Sequence, residues 1–535
     1  MWKTAVVAVY LALLFAPAAR ALAEGPPKGV RHTSVAFADI LAAERRAAGS
    51  AAQSAAETWQ VLQEGETSTL RFMRRGADYR TTVSHGPFTT GFGRMGNTIW
   101  RQNANGQTMV GAQTSDDVLL PNDPDQASTE IAAISENGKL LGEVLEPCGC
   151  YVVEYRTADI PHWAFFDKTS GQLIRIEYDA GDRRLVTTFA DFRTSDGWTR
   201  PWHIHTTFGV AEEDVDATLL SVTTGADVGP GDVAIPRDRR QLGEWPNGVT
   251  RTELAATFIQ KHIIVRLNIQ GRDADFLLDS GASGSILDRG FARGLGILPP
   301  GTAAGDKASR ERSDVIVWEM HAGAMRMHDF AAKSLPFSWH LRDPNMRIAG
   351  LIGYDLFDAA VVHIDYPHHR VELIDRNAFS LPQDDFTEVD VSLQDGVPLA
   401  PAQIGASVGT RFVIDTGADS LFVLPHFFKA HPDDLWDQGG GQIVNQNYPY
   451  PHFAGFGGPI QTRATEVASF TFGSARFTHV GVEKEVGGGR LVALSRYDGL
   501  IGYPLLRFYE LYFDYANQRV VLVPGDMLKG SGRPQ

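Results

Sequence analysis

The sequence predicts a mainly β protein in two unlike parts: a leading helix with a largely antiparallel sheet, then a β-rich half built by duplication. Three observations carry this. Glycine supplies 54 of the 535 residues, which implies many turns. Short runs of β-branched and aromatic residues, separated by Gly, Asn and Asp, recur from about residue 67 to 208. Three ordered motifs occur twice in the second half. Apolar residues make up 43% and charged residues 21%, the balance of a globular chain rather than a disordered one. At about 150 residues per domain, the length implies three or four domains. Acidic residues outnumber basic ones, 64 to 49, giving a net charge of -15. Such a surface repels a polyanion, so no nucleic acid partner is expected.

Residues 1–23 read as a secretory signal peptide. Lys3 gives the positive start, residues 5–15 the apolar stretch, and Ala21-Leu22-Ala23 a small-x-small cleavage site before Glu24. An uncleaved anchor is the alternative, but the apolar run is short for a bilayer. A soluble periplasmic or secreted bacterial protein, with no transmembrane segment after cleavage, is the expectation. Residues 35–60, rich in Ala, Glu and Arg, read as helix. Residues 151–155, 163–167 and 173–178 read as strands, so 30–224 form a β-rich domain with a leading helix. Residues 225–249, with several Gly, Pro and charged residues, suit a linker. Cys148 and Cys150, in Cys-Gly-Cys, are the only cysteines. That excludes a four-cysteine zinc site and leaves free thiols, a redox pair or a small bridge open.

The duplication occupies the rest. Residues 276–288 read FLLDSGASGSILD and 412–424 read FVIDTGADSLFVL. GLIGYDLF at 350–357 is matched by GLIGYPLL at 499–506. Ile364-Asp365-Tyr366 with RVELI at 370–374 is matched by Phe513-Asp514-Tyr515 with RVVLV at 519–523. The two acids stand 136 residues apart and each later pair 149, so the second copy carries 13 extra residues between its first and second motifs. Each copy opens as a hairpin feeding an acidic loop. In the first, strand 261–269 turns at Gln270-Gly271-Arg272. In the second, strand 400–404 is expected to turn at Gly409-Thr410. Short helices are expected at 289–295 and 426–430. The copies define lobes over 250–380 and 381–526.

A single Asp-Thr-Gly is usually just a turn. Two matched copies give a chemical reason for duplication. Paired carboxylates cannot both ionise easily; they share a proton and titrate together. The ionised member can take a proton from water while the protonated member polarises a carbonyl. Asp279 and Asp415 are the candidate catalytic pair. Gly281 and Gly417 let the backbone turn beside them. Ser280 and Thr416 can each donate a hydrogen bond to the opposite loop and lock the acids in place.

On these residues the second half resembles the aspartic peptidases. Asp279-Ser280-Gly281-Ala282-Ser283, Asp415-Thr416-Gly417-Ala418-Asp419 and the two Gly-Leu-Ile-Gly runs are more similar to the retropepsin-like branch than to the pepsin branch. Two copies in one chain are similar to a fused retropepsin dimer. The resemblance covers roughly 250–524 and implies a bilobal acid-protease β-barrel pair. It implies a catalytic Asp279 and Asp415, an apolar-apolar-Gly motif packed under each loop, and substrate-binding positions at Ser283 and Asp419. Because these two differ, substrate contacts should be unequal across the site. The first domain is similar to the LolA-like fold, a helix followed by a curved antiparallel sheet, on residues 163–175 and 190–201. That fold could hold a hydrophobic ligand or serve as a spacer.

Peptidases of this kind close a flap over substrate. Residues 455–458 and 315–327 are the candidates, against ordinary surface loops. His203 and His205 alternate on a strand face and could be two metal ligands or a structural pair; no metal site is expected. His-Glu-x-x-His and a phosphate-binding loop are missing from the sequence, and Gly281-Ala282-Ser283-Gly284-Ser285 lacks the final Gly of a nucleophile elbow. The leading expectation is an exported aspartic endopeptidase acting on a protein or peptide substrate, monomeric and needing no cofactor. The alternatives are a catalytically silent periplasmic binding protein for lipid, lipoprotein or peptide, and an envelope scaffold.

Overall fold

The computed structural model describes residues 25–63, 66–112, 126–157, 160–180, 183–207, 214–225, 227–238, 241–299, 313–336, 346–393, 396–431, 443–446, 460–485 and 497–529. Strands account for 57% and helices for 11%, so the protein is mainly β as expected. The signal-peptide residues 1–23 and the flap candidate 455–458 lie outside the described residues. Among the described residues no helix is long and apolar enough to cross a membrane. Two compact units emerge: Met1–Asn103 with Ala112–Arg237, and Ala104–Gly111 with Asp238–Gln535.

The first unit opens with helix Phe37–Ala48, which turns Ile40 and Leu41 inward and carries Asp39 in its first turn and Arg45 and Arg46 in its last. Charges in those positions complement the helix dipole. The expected helix to residue 60 stops early. Gly49, at φ 70, returns its N–H to Arg45 O, and the chain then enters strand Ser54–Gln63. That strand buries every second residue, Glu57 among them. A buried glutamate hides the period-two pattern in the sequence. Arg200 compensates its charge, donating to both Glu57 oxygens, and Trp59 Nε1 donates to Oε2 at 2.8 Å. Antiparallel neighbours step outward from Ser54–Gln63 to Thr98–Gln102, and from Val215–Thr224 back to Lys139–Val144; the first and last long strands pair, with Trp59 opposite Leu219. Trp59, Phe72, Phe166 and Ile176 form the core, joined by Ile134 from helix Gln126–Asn137. Cys148 and Cys150 form a disulfide, which removes the free-thiol option.

In the second unit each copy folds as a lobe. Strand His262–Ile269 turns through Gln270 (φ 49) and Gly271 (φ 81) into Arg272–Leu278. Strand Ile348–Ile352, from the first Gly-Leu-Ile-Gly, pairs in parallel with it, Leu277 opposite Leu351. In the second lobe Ser407–Ile414 pairs in parallel with Gly499–Ile501, Ile414 opposite Ile501. There the hairpin turns at Gly405 (φ 57), not at Gly409-Thr410. Gly409 lies within the strand, where a Cβ would come 2.5 Å from the Phe412 ring and 2.7 Å from Asp498 Oδ2. Its small size is used for close packing rather than for a turn. The expected short helices form at Arg289–Gly294 and Pro425–Ala430.

The third repeated motif joins the lobes. Strands Val361–Asp365 and Tyr509–Asp514 pair antiparallel, Val362 opposite Phe513, at the centre of a six-stranded sheet. Ile364, Leu373, Phe513 and Leu522 belong to one continuous core beneath both lobes. Residues 315–327 form most of a hairpin, Ser313–Ala322 with Met325–Leu335. Val315, Val317, Met320, Met325 and Met327 are fully buried, and its turn is docked, with Ala324 N donating to Thr252 Oγ1 at 3.1 Å. This turn is a packed structural element and not a free flap.

Candidate active site

The acidic loops are positioned by backbone bonds that repeat almost atom for atom. Asp279 N donates to Ile352 O at 3.0 Å and Asp415 N to Ile501 O at 2.9 Å. Tyr354 N donates to Ala282 O, and Tyr503 N to Ala418 O, each at 3.0 Å. Each Gly-Leu-Ile-Gly strand therefore lies directly under one loop. The closing glycines fit because nothing larger could: a Cβ at Gly353 would lie 2.6 Å from Ala282 O, and one at Gly502 2.5 Å from Ala418 O.

Ser280 and Thr416 bind the loops to each other. Ser280 N donates to Thr416 Oγ1 at 2.9 Å, and Thr416 N to Ser280 Oγ at 3.0 Å. Each hydroxyl then donates into the opposite lobe, Ser280 Oγ to Ile414 O at 2.8 Å and Thr416 Oγ1 to Leu278 O at 3.0 Å. Both residues are wholly buried. These four bonds make a closed ring across the pseudo-twofold axis, and satisfied polar networks in a dry interior fix geometry tightly.

Asp279 and Asp415 meet at the centre of this ring, 0% and 2% exposed, too little for water to stabilise two charges. Gly281 N donates to Asp279 Oδ1 at 2.8 Å and Gly417 N to Asp415 Oδ1 at 2.9 Å. A Cβ at Gly281 would stand 2.5 Å from Asp415 Cγ, and one at Gly417 2.6 Å from Asp279 Cγ, so each glycine leaves room for the opposite carboxyl. Among the described residues no N–H or O–H donates to Asp279 Oδ2. The partner in reach is the Asp415 carboxyl, and a bond between two carboxyls needs a proton. Burial, then the charge of Asp415, hold Asp279 well above the usual carboxylate range. Burial pushes Asp415 up to about 6, against the pull of Gly417 N–H and Asp279. The pair therefore retains one proton where ordinary aspartates have lost theirs.

The two loops carry different side chains at the positions expected to bind substrate. Ser283 and Asp419 are half-buried, and Lys261 Nζ donates to Asp419 O at 3.0 Å. Sequence reasoning missed Tyr366 and Tyr515. Both are buried, and burial raises their hydroxyls, helped by Asp415 at Tyr366 and by Asp279 and Asp415 at Tyr515. Their place directly after the repeated Asp365 and Asp514 was the available signal.

Other candidates lie elsewhere. His203 and His205 each come within 3.0 Å of the same Asp216 oxygen, which accounts for them as a structural pair. Among the described residues Asp365, His368 and Glu510 have ligand atoms within 4.8 Å of one another. There the His368 N–H donates to Asp365 Oδ1 at 3.0 Å and its ring Nδ1 lies 2.9 Å from the same atom, the bonding of a closed turn.

Residues 265–356 match the family model described as aspartyl protease. No curated protein matches the chain. Among solved structures, an aspartic proteinase from Irpex lacteus aligns at 10% identity over 52% of this chain and 98% of that one, with a TM-score of 0.29. A retropepsin-like aspartic protease from Rickettsia conorii aligns at 16% identity over 25% of this chain and 96% of that one, TM-score 0.18. A LolA superfamily protein from Nitrosomonas europaea aligns at 11% identity over 38% of this chain and 98% of that one, TM-score 0.30. The matched span contains the Asp279 loop and the first Gly-Leu-Ile-Gly, so this segment of the chain is similar to the aspartyl protease family.

Proposed function

We propose that the second unit is an aspartic endopeptidase, with Asp279 and Asp415 as its catalytic dyad. The observation that carries this reading is the ring of four hydrogen bonds through Ser280 and Thr416, which holds two buried carboxyls face to face. In the singly protonated pair, the ionised carboxylate takes a proton from a water held between the acids. That water's oxygen attacks the scissile carbonyl carbon, and the protonated carboxyl gives its proton to the carbonyl oxygen. The tetrahedral intermediate then collapses. The C–N bond breaks, the amine leaves with the proton taken from water, and the second carboxyl recovers its own. Preorganised donors at fixed positions make this efficient, because they need not reorganise during the reaction. Ser283 on one side and Asp419 on the other would contact the substrate backbone unequally. The leader-like residues 1–23 support an exported enzyme, cleaved before Glu24.

The test is cleavage of an unfolded protein from pH 3 to pH 8. Asp279→Asn and Asp415→Asn are each expected to abolish it while the protein stays folded. Undiminished cleavage by the double variant would refute the dyad. A folded wild-type chain that retains peptide without cutting it would instead indicate the silent binding protein.

A further inference from the structure

We propose that Asn105 is a positioning residue for the Asp279 loop, acting through Asp355. The stretch Ala104–Gly111 precedes the lobes by well over a hundred residues in sequence, yet it belongs to the second unit. Asn105 is buried there. Its Nδ2 donates to Ala331 O at 3.0 Å and its Oδ1 accepts from Ala331 N at 2.6 Å, so the side-chain amide pairs with strand Met325–Leu335 as a neighbouring strand would. The same Nδ2 donates to Asp355 Oδ1 at 2.9 Å. Asp355, also buried, uses its other oxygen to accept from Ser285 N at 2.8 Å. Ser285 closes the loop that begins at Asp279. A chain of three groups thus runs from Asn105 to that loop.

The second lobe is built differently at this point. The residue matching Asp355 is Pro504, the position where the repeated GLIGY runs diverge. Its loop is held from within the lobe, by Ser420 Oγ donating to Glu483 Oε1 and Glu483 N donating to Leu421 O, each at 2.8 Å. Among the described residues, the hydrogen bonds of Asn105 reach the first lobe, through Ala331 and Asp355. The segment also comes near the Asp279 loop by way of Gly396, which lies close to both. Met109 is buried in the core of this unit, and a Cβ at Gly396 would lie 3.2 Å from Met109 Sδ and 3.3 Å from Ser283 Cα. Gln107 Nε2 to Asp358 Oδ2 at 2.6 Å and Thr108 N to Asp238 Oδ1 at 2.7 Å fix the segment on either side. Asn105 directs its hydrogen bonds to Ala331 and Asp355, not to Asp279 or Asp415. Its effect is to hold the carboxylate that holds the loop.

The experiment compares full-length wild type with Asn105→Leu, Asn105→Ser and Gln107→Leu. Gln107→Leu removes a buried bond from the same segment but one that leads to Asp358. Amide exchange at Ser285 and across residues 280–286 should quicken about tenfold in both Asn105 variants and stay near wild type in Gln107→Leu. The activity arm rests on the peptidase reading: kcat should fall about tenfold or more in the Asn105 variants, with KM little changed, and hold in Gln107→Leu. Asn105→Ser decides the matter if the leucine variant does not fold. Unchanged exchange at Ser285 in the Asn105 variants, or equal quickening in Gln107→Leu, would overturn the proposal. A wild type that does not cleave would defeat the peptidase reading alone, since the exchange comparison stands without turnover.

Discussion

Replacing Asp415 with Asn should make the protein inactive and, above pH 6, more stable. Burial raises Asp415 from the ordinary 3.8 to about 6. At about 1.4 kcal/mol per pH unit, the folded state bears a cost of about 3 kcal/mol for ionising this group at neutral pH. The sign follows from proton binding. The folded protein holds the Asp415 proton more tightly than the unfolded chain does. Its stabilising effect is therefore full below pH 3.8 and is lost as the pH rises from there through about 6. An asparagine carries no charge to bury, still accepts from Gly417 N, and can donate to Asp279. The advantage of Asp415→Asn should be close to zero at pH 3.5 and approach about 3 kcal/mol at pH 7.5. For a unit of this size that is a rise of about 5 °C in Tm. Thermal denaturation of both proteins at pH 3.5, 5 and 7.5, with a cleavage assay alongside, measures it. A variant less stable than wild type at pH 7.5, or a gap that does not change with pH, would refute the reasoning.

Three further outcomes are expected. Gly281→Ala and Gly417→Ala would each drive a methyl into the opposite carboxyl, at 2.5 and 2.6 Å from its Cγ; cleavage should fall about a hundredfold with the fold kept, checked by circular dichroism. Thr416→Val removes the acceptor for Ser280 N and the donor to Leu278 O, so urea denaturation should show a loss of about 2–4 kcal/mol, whereas Thr416→Ser keeps both bonds and most of the stability. The pH profile of kcat/KM should rise through about 6, where the pair of the free enzyme gives up its first proton, rather than near 3.8. It should fall again at higher pH, where Asp279 loses the proton that burial and Asp415 hold on it.

Much of the fold was legible because its signals are local. The turn at Gln270 and Gly271 is marked by a glycine between two strand-like runs, and both short helices fall where the apolar pattern puts them. The reading failed where a tertiary partner changed a residue's meaning. Glu57 looks helical and exposed until Arg200, far along the chain, neutralises it inside a sheet. Gly409 looks like a turn until Phe412 and Asp498 explain its lack of a side chain. Tyr366 and Tyr515 were passed over because nothing in a tyrosine's neighbours along the chain states that two carboxyls lie nearby.

By itself the sequence determined that two acidic loops exist, that each follows a strand, and that each is followed by the same glycine-closed apolar run. Repetition of that kind survives in the order of residues. Only the tertiary structure decided that the two loops face each other, that Ser280 and Thr416 cross between them, and that the carboxyls are buried deeply enough to keep a proton. It also decided that the second unit takes in Ala104–Gly111, from a stretch the sequence assigns to the first domain. The physical reason is the same in each case. Burial and electrostatic coupling depend on distances through space, and residues hundreds of positions apart carry no record of those distances in their spacing along the chain.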